Sequence, residues 1–252
     1  MNKLKLSVQL YTLREAVDKD LAGTLKAVRA IGLTGVELAG YGDLKTAAAV
    51  KKAADEAGVV VSGAHVMLDA LEGDFAKVLA DHKTLGNTNV VIPWLPDDAR
   101  KTAADWIGLA AKFNTLGKKL AAEGFRLSYH NHAFEFDLFD GQTAMNLLLQ
   151  HTDPAFVDFE VDVYWVKTGG HDPVQFLQSL GSRLRLVHLK DKAADGKFAP
   201  VGTGTLDFAA IAKAASDAGV EWGVIEQDDS YGQDPLKIIQ TGYENLKKLG
   251  YS

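Results

Sequence analysis

The chain contains no cysteine, which excludes disulfides, thiolate nucleophiles and thiolate metal sites together and leaves His and carboxylate as the strong metal ligands. Nor does it hold a stretch approaching the roughly 20 apolar residues that a membrane-spanning helix needs. Its opening, MNKLKLSVQLYTLRE, lacks the apolar core and small-residue cleavage pattern of a secretory signal. The expectation is a soluble protein of the cytoplasm with no membrane partner. Clusters of lysine or arginine are missing too, and the formal net charge is -6, so there is no electrostatic footprint for a phosphate backbone. Nucleic acid is not an expected partner. What is present is a 252-residue chain, 47% hydrophobic and 24% charged, long enough to bury a sizeable core.

One phrase recurs: an amphipathic helix, a glycine, then a β-branched run, as in AVRAIGLTGVEL, AADEAGVVVSGAH and LAAEGFRLSYH. Six glycines carry it, Gly32, Gly58, Gly86, Gly124, Gly181 and Gly219, and each suits a helix C-terminus that turns through a left-handed conformation. Repeated helix-to-strand units of this kind pack economically as parallel strands with crossover helices. The strands are predicted over Leu6 to Tyr11, Gly35 to Leu38, Val59 to His65, Asn89 to Pro93, Arg126 to His132, Val157 to Trp165, Arg185 to Lys190 and Gly223 to Gln227. Eight such units in a chain of this length predict an α/β fold, a closed (βα)8 TIM barrel forming one domain over residues 1–252. An open doubly wound sheet is the alternative, but GTGTLDF at 202–208 does not complete a dinucleotide-binding glycine loop after a first strand.

In such a barrel the chemistry sits at the C-terminal strand ends. Those ends offer Gln9, Glu37, His65, Pro93 and Trp94, then His130 and His132, Glu160 and Asp162, His188 and Lys190, and lastly Glu226 and Asp228. Singly, each is as well explained by a hydrogen-bonded structural role, and Lys190 with Asp191 by a surface ion pair worth under about 1 kcal/mol. Jointly they converge, because strands five to eight are neighbours. His130, Asp162, His188 and Glu226 supply two imidazoles and two carboxylates, a donor set for one divalent ion such as Mn, Co, Fe, Zn or Mg, with Mn favoured. The set is scattered through the sequence, so no short-spacing metal motif supports it.

The segments SVQLYTLR, VDFEVDVYWV, LRLVHLKD and VIEQDD resemble the xylose isomerase-like TIM barrels of the sugar phosphate isomerase/epimerase superfamily, which includes ketose 3-epimerases and inositol-pathway dehydratases. The likeness spans essentially the whole chain and is specific for superfamily, not for substrate. It implies one divalent metal at the ends of strands five to eight, with Asp162, His188 and Glu226 matching the second, third and fourth ligands. At the first, His130 stands where the epimerases carry glutamate, with His132 and Glu135 just beyond. The YHNH stretch is similar to the YHPH-type stretch of the inositol-pathway dehydratases.

Such residues support removal of a proton beside the carbonyl of a sugar or keto-sugar, the ion stabilising the enediolate. Glu226, His132 and Glu135 are candidate bases, and Lys190 a donor to oxygen. Return of the proton gives an isomerase or epimerase, the leading expectation; loss of a β-oxygen gives a dehydratase or lyase, to which the histidine pair lends an acid. Gln9, Glu37 and His65 would bind hydroxyls, and Trp94 and Trp165 would offer flat surfaces to the ring. PVGTGTLDF at 200–208 reads as a lid over the site or as a lead-in to the next helix. The expected partner is a small carbohydrate without phosphate, and a homo-oligomer is compatible with this reading. The rival from another class is a sugar-binding barrel without catalysis.

Overall fold

Short β-branched runs that are buried along nearly their whole length need neighbours on both edges and cover on both faces, which a barrel wrapped in helices provides. In the computed structural model, which describes residues 4–251, the runs form β1 (Lys5–Gln9), β2 (Gly35–Leu38), β3 (Val60–His65), β4 (Asn89–Ile92), β5 (Arg126–His130), β6 (Val157–Asp162), β7 (Leu184–Leu189) and β8 (Trp222–Ile225). Residues 1–3 and 252 of the expected domain lie outside the described residues. All neighbours are parallel, and the sheet closes in the order β1-β8-β7-β6-β5-β4-β3-β2. The connections carry α1 (Arg14–Ile31), α2 (Ala47–Ala57), α3 (Leu68–Gly73), α4 (Phe75–Leu85), α5 (Ala103–Ala122), α6 (Ala144–His151), α7 (Val163–Thr168), α8 (Pro173–Leu180), α9 (Phe208–Asp217) and α10 (Pro235–Lys248). Among the described residues no helix is long and apolar enough to cross a membrane.

The six recurrent glycines all take positive φ, from 53° at Gly181 to 117° at Gly32. Gly181 differs from the rest: its ψ of -126° lies outside the left-handed helical region, in a part of the map that side chains with a Cβ avoid.

Several strands end earlier than the apolar pattern suggests. β6 stops at Asp162 instead of Trp165, because the Asp162 carboxylate accepts the backbone N–H groups of Tyr164 and Trp165 at 2.9 and 3.1 Å and so starts α7. β5 stops at His130 instead of His132, and residues 134–136 form a 3₁₀ turn. At β1, the Gln9 side chain accepts the N–H of Tyr11 at 3.0 Å and ends the strand two residues early.

The register aligns the mouth. His130 pairs with Glu160, Asp162 with His188, and Gln9 with Glu37. Register shifts fall between Val36 and Glu37 and between Phe159 and Glu160, which re-aims both glutamates as bulges near functional sites commonly do. Below this polar layer, Val91, Leu186 and Trp222 form a small apolar cluster separate from the main core.

The 200–208 segment is tied down rather than free. Asp191, fully buried, accepts the N–H groups of Lys192, Gly202, Gly204 and Leu206 at 2.7, 2.9, 2.7 and 3.2 Å. It is no surface ion pair. Asp207 then caps α9 through the N–H of Ala210 at 3.0 Å.

Two expectations follow. An added Cβ at Gly63 would stand 2.4 Å from Glu37 Oε1, so Gly63→Ala should lower unfolding free energy in urea by about 1–3 kcal/mol with an unchanged denaturant slope. Asp191→Ala removes the buried carboxylate that four backbone N–H groups share and should cost about 1–3 kcal/mol in the same measurement.

Candidate active site

Glu160 lies at the centre of the mouth. Its Oε2 is 2.9 Å from His65 Nε2, 3.0 Å from His130 Nδ1 and 3.2 Å from His188 Nε2. Glu37 Oε2 is 2.6 Å from the same His188 nitrogen and accepts from Gln9 Nε2 at 2.8 Å. Assigning protons from these partners, His130 carries its proton on Nδ1, leaving its Nε2 4.0 Å from Asp162 Oδ2. His188 carries one proton on Nε2 and a second on Nδ1, which stands 2.7 Å from Glu226 Oε2.

Lys190 closes the other side. Fully buried, its Nζ stands 2.8 Å from Asp162 Oδ2, 2.8 Å from Glu226 Oε2 and 3.0 Å from Asp228 Oδ1, with the rings of Trp165 and Phe198 each 5.7 Å away.

Burial penalises every charge here, and the neighbours decide which survive. Burial works against the Lys190 ammonium, but the carboxylates of Asp162, Glu226 and Asp228 hold its pKa well above the usual range. Burial likewise opposes protonation of His65, yet Glu37 and Glu160 raise it to about 9. Burial and the charge of Lys190 instead drive His132 down to about 3. His130 is also pushed down, by burial and by His188. Burial and the nearby Glu226 charge lift Asp228 to about 6.

The donor atoms of His130, Asp162, His188 and Glu226 lie within 4.8 Å of one another, and all four residues are buried. This group could bind a metal, and its details fit one. Each imidazole has its far nitrogen held by a buried carboxylate, the arrangement that orients a ligating histidine. Asp162 Oδ2 is buried with no hydrogen-bond partner despite the nearby Lys190. A second group, His65, His130, Glu160 and His188, is equally close, but it shares both imidazoles and serves as their hydrogen-bonding support.

A cavity of about 430 Å³ opens above, lined by His65, His130, His132, Lys190, Glu226 and Asp228 on its polar side and by Tyr11, Met67, Pro93 and Trp94 on its apolar side. Not every sequence-predicted residue reaches it. Gln9 and Glu37 are fully buried and outside its lining; Glu37 contacts His188, and Gln9 donates to Glu37. Glu135 is also fully buried; its carboxylate accepts from the Tyr129 hydroxyl and from the His132 N–H at 2.8 Å, and it belongs to neither donor group. It contacts the YHNH turn and does not line the cavity. Trp165 packs 5.5 Å from the His132 ring, outside the cavity lining.

Glu160 and Asp228 stand out at strand ends in the sequence without an evident role. The signal for Glu160 was its two-residue spacing from Asp162, which puts both on one face of β6. Tyr11, in the 3₁₀ turn Leu10–Leu13, stands two residues after Gln9 at the predicted end of the first strand, whereas Met67 comes from a loop and carried no such signal.

The family model for the xylose isomerase-like TIM barrel matches residues 25–249. Inosose dehydratase from Salmonella agona is 27% identical over 171 residues, covering 58% of this chain and 54% of that protein. The chain thus spans about half the length of the curated relatives it matches. A sugar phosphate isomerase/epimerase from Parabacteroides distasonis, known from its crystal structure, is 26% identical with a TM-score of 0.86, covering 98% of this chain and 94% of that one. A 3-keto-D-glucoside 4-epimerase from E. coli shares the fold at 18% identity and a TM-score of 0.73. The relatives are enzymes, and with the closed barrel and the match over residues 25–249 the chain belongs to the xylose isomerase-like TIM barrel family.

Proposed function

We propose that this barrel is a divalent-metal-dependent isomerase or epimerase that moves a proton beside the carbonyl of an unphosphorylated sugar. The observation that carries the reading is the buried group of His130, Asp162, His188 and Glu226, contacted by Lys190 and open to one cavity. When bound by those four residues, a divalent ion, with Mn favoured, supplies Lewis-acid polarisation of a carbonyl.

The remaining chemistry belongs to the side chains. Of the groups facing the cavity, the Glu226 and Asp228 carboxylates and neutral His132 can accept a proton, whereas His65 and Lys190 can give one. Glu226 and Asp228 both touch Lys190, so a carboxylate that takes a proton from carbon releases its hold on an ammonium that can then follow charge onto oxygen. Glu160 keeps His65 protonated from behind. Glu135 and Asn131 fix the turn that presents His132, the latter by accepting the Asp162 N–H at 3.0 Å.

Among the described residues, the cations a phosphate would meet at this mouth are already paired, His65 with Glu37 and Glu160. Lys190 is committed to three carboxylates, and Arg14 at the rim is spent on the backbone carbonyls of Tyr11 and Asp228 at 3.0 Å each.

A second reading, elimination of a β-oxygen, is favoured by the presence of two charged donors, His65 and Lys190, in the same mouth. It is also what the name of the dehydratase relative describes.

Elemental analysis and turnover test the assignment together. Asp162→Ala and His188→Ala should lose stoichiometric metal, while Lys190→Ala should keep it and lose about 10²- to 10⁴-fold in kcat; full metal content and activity in the first two variants would refute the reading. Turnover of a panel of keto-sugars in D₂O distinguishes the outcomes. Deuterium entering at one carbon without other change in mass supports isomerisation or epimerisation, loss of water or of a substituent supports elimination, and neither exchange nor loss on any member overturns both.

A further inference from the structure

The two walls of the cavity differ in kind. The groups suited to proton transfer come from the ends of β5, β7 and β8, apart from His65, whereas the opposite wall carries Tyr11, Met67, Pro93 and Trp94 from the ends of β1, β3 and β4. Tyr11, Met67 and Trp94 are 45%, 41% and 38% exposed. They are three of only eight large apolar side chains so exposed among the described residues, and they meet in this one opening. Scattered exposed apolar groups need no explanation, but a cluster that continues a polar reaction site does. The C–H face of a sugar ring can stack on Trp94, but a free polyol brings no further apolar surface to the rest of this wall.

We propose that the substrate is a sugar joined to a flat, apolar group, an aryl glycoside or its keto form, with the sugar on the polar wall and the aryl group against Met67, Pro93 and Trp94. The proposal rests on the reading that the polar wall receives a sugar. An aryl group lying there removes two exposed apolar side chains, Met67 and Trp94, and half-buried Pro93 from water and stacks on the Trp94 indole.

Calorimetric titration of the metal-loaded wild-type protein with methyl β-D-glucopyranoside and with 4-nitrophenyl β-D-glucopyranoside tests this without turnover. The aryl glycoside should bind about 10- to 100-fold more tightly, and Trp94→Ala should collapse that ratio toward one. Equal affinities, binding of neither compound, or a ratio that survives both Trp94→Ala and Met67→Ala would overturn it. Sedimentation of the same samples covers the other occupant: a dimer that becomes monomeric in Trp94→Ala would give this wall to a second copy of the chain and overturn the proposal. Metal content and deuterium exchange report on the reading beneath it, and a failure there leaves a different record from a failed binding ratio.

Discussion

One carboxylate oxygen shared by three imidazoles organises the mouth of this barrel. Glu160 Oε2 reaches His65, His130 and His188, and in doing so it decides which nitrogen of His130 faces the cavity and which imidazole at the rim stays charged. Glu37 performs the same service for His188 from the neighbouring side. Buried carboxylates are costly unless paired and hydrogen-bonded. The pairing here is reciprocal: the imidazoles compensate the carboxylates, and the carboxylates orient the imidazoles. The strand register is subordinate to this arrangement, since both glutamates lie at places where the ladder slips by a residue.

A second consequence concerns charge. Glu37, Glu160, Asp162, Glu226 and Asp228 converge on a region whose fixed cation is Lys190. His65 and His188 take up protons to balance it, in spite of burial, which opposes both. A divalent ion would bring the same balance from outside, freeing the Nδ1 of His188 from its proton. The mouth is thus built with an excess of negative charge that either protons or a metal can answer.

The barrel was legible because its signal is redundant: six glycines in phase with eight apolar runs tolerate errors at any one of them. His130, Asp162, His188 and Glu226 were legible for a related reason, since strand ends of a parallel barrel converge whatever the exact register. The failures were local. The strand predicted through Trp165 ends at Asp162, because a carboxylate that also caps a helix looks, in sequence, like one more strand residue. Glu135 reads as a reactive acid in HAFEF but turns inward to Tyr129 and His132; Gln9 and Glu37 lie one layer too deep to meet a ligand. Met67 was invisible as a cavity residue, because a loop has no periodicity from which a facing direction can be read.

Lys190 and Asp191 are adjacent yet face opposite ways, one into the mouth and the other into the protein, where it gathers four backbone N–H groups. Backbone amides are indifferent to the side chains they carry. Apart from Gly202, with φ of 81°, Gly204, whose added Cβ would strike Asp191 Oδ1 at 2.4 Å, the core residues Val201 and Phe208, and the cap Asp207, the segment can therefore change its sequence without changing its path. Its neighbours along the rim can drift in composition while the lysine stays where it is. Such a separation lets one barrel acquire new substrates by mutation of its loops, without rebuilding the chemistry beneath them.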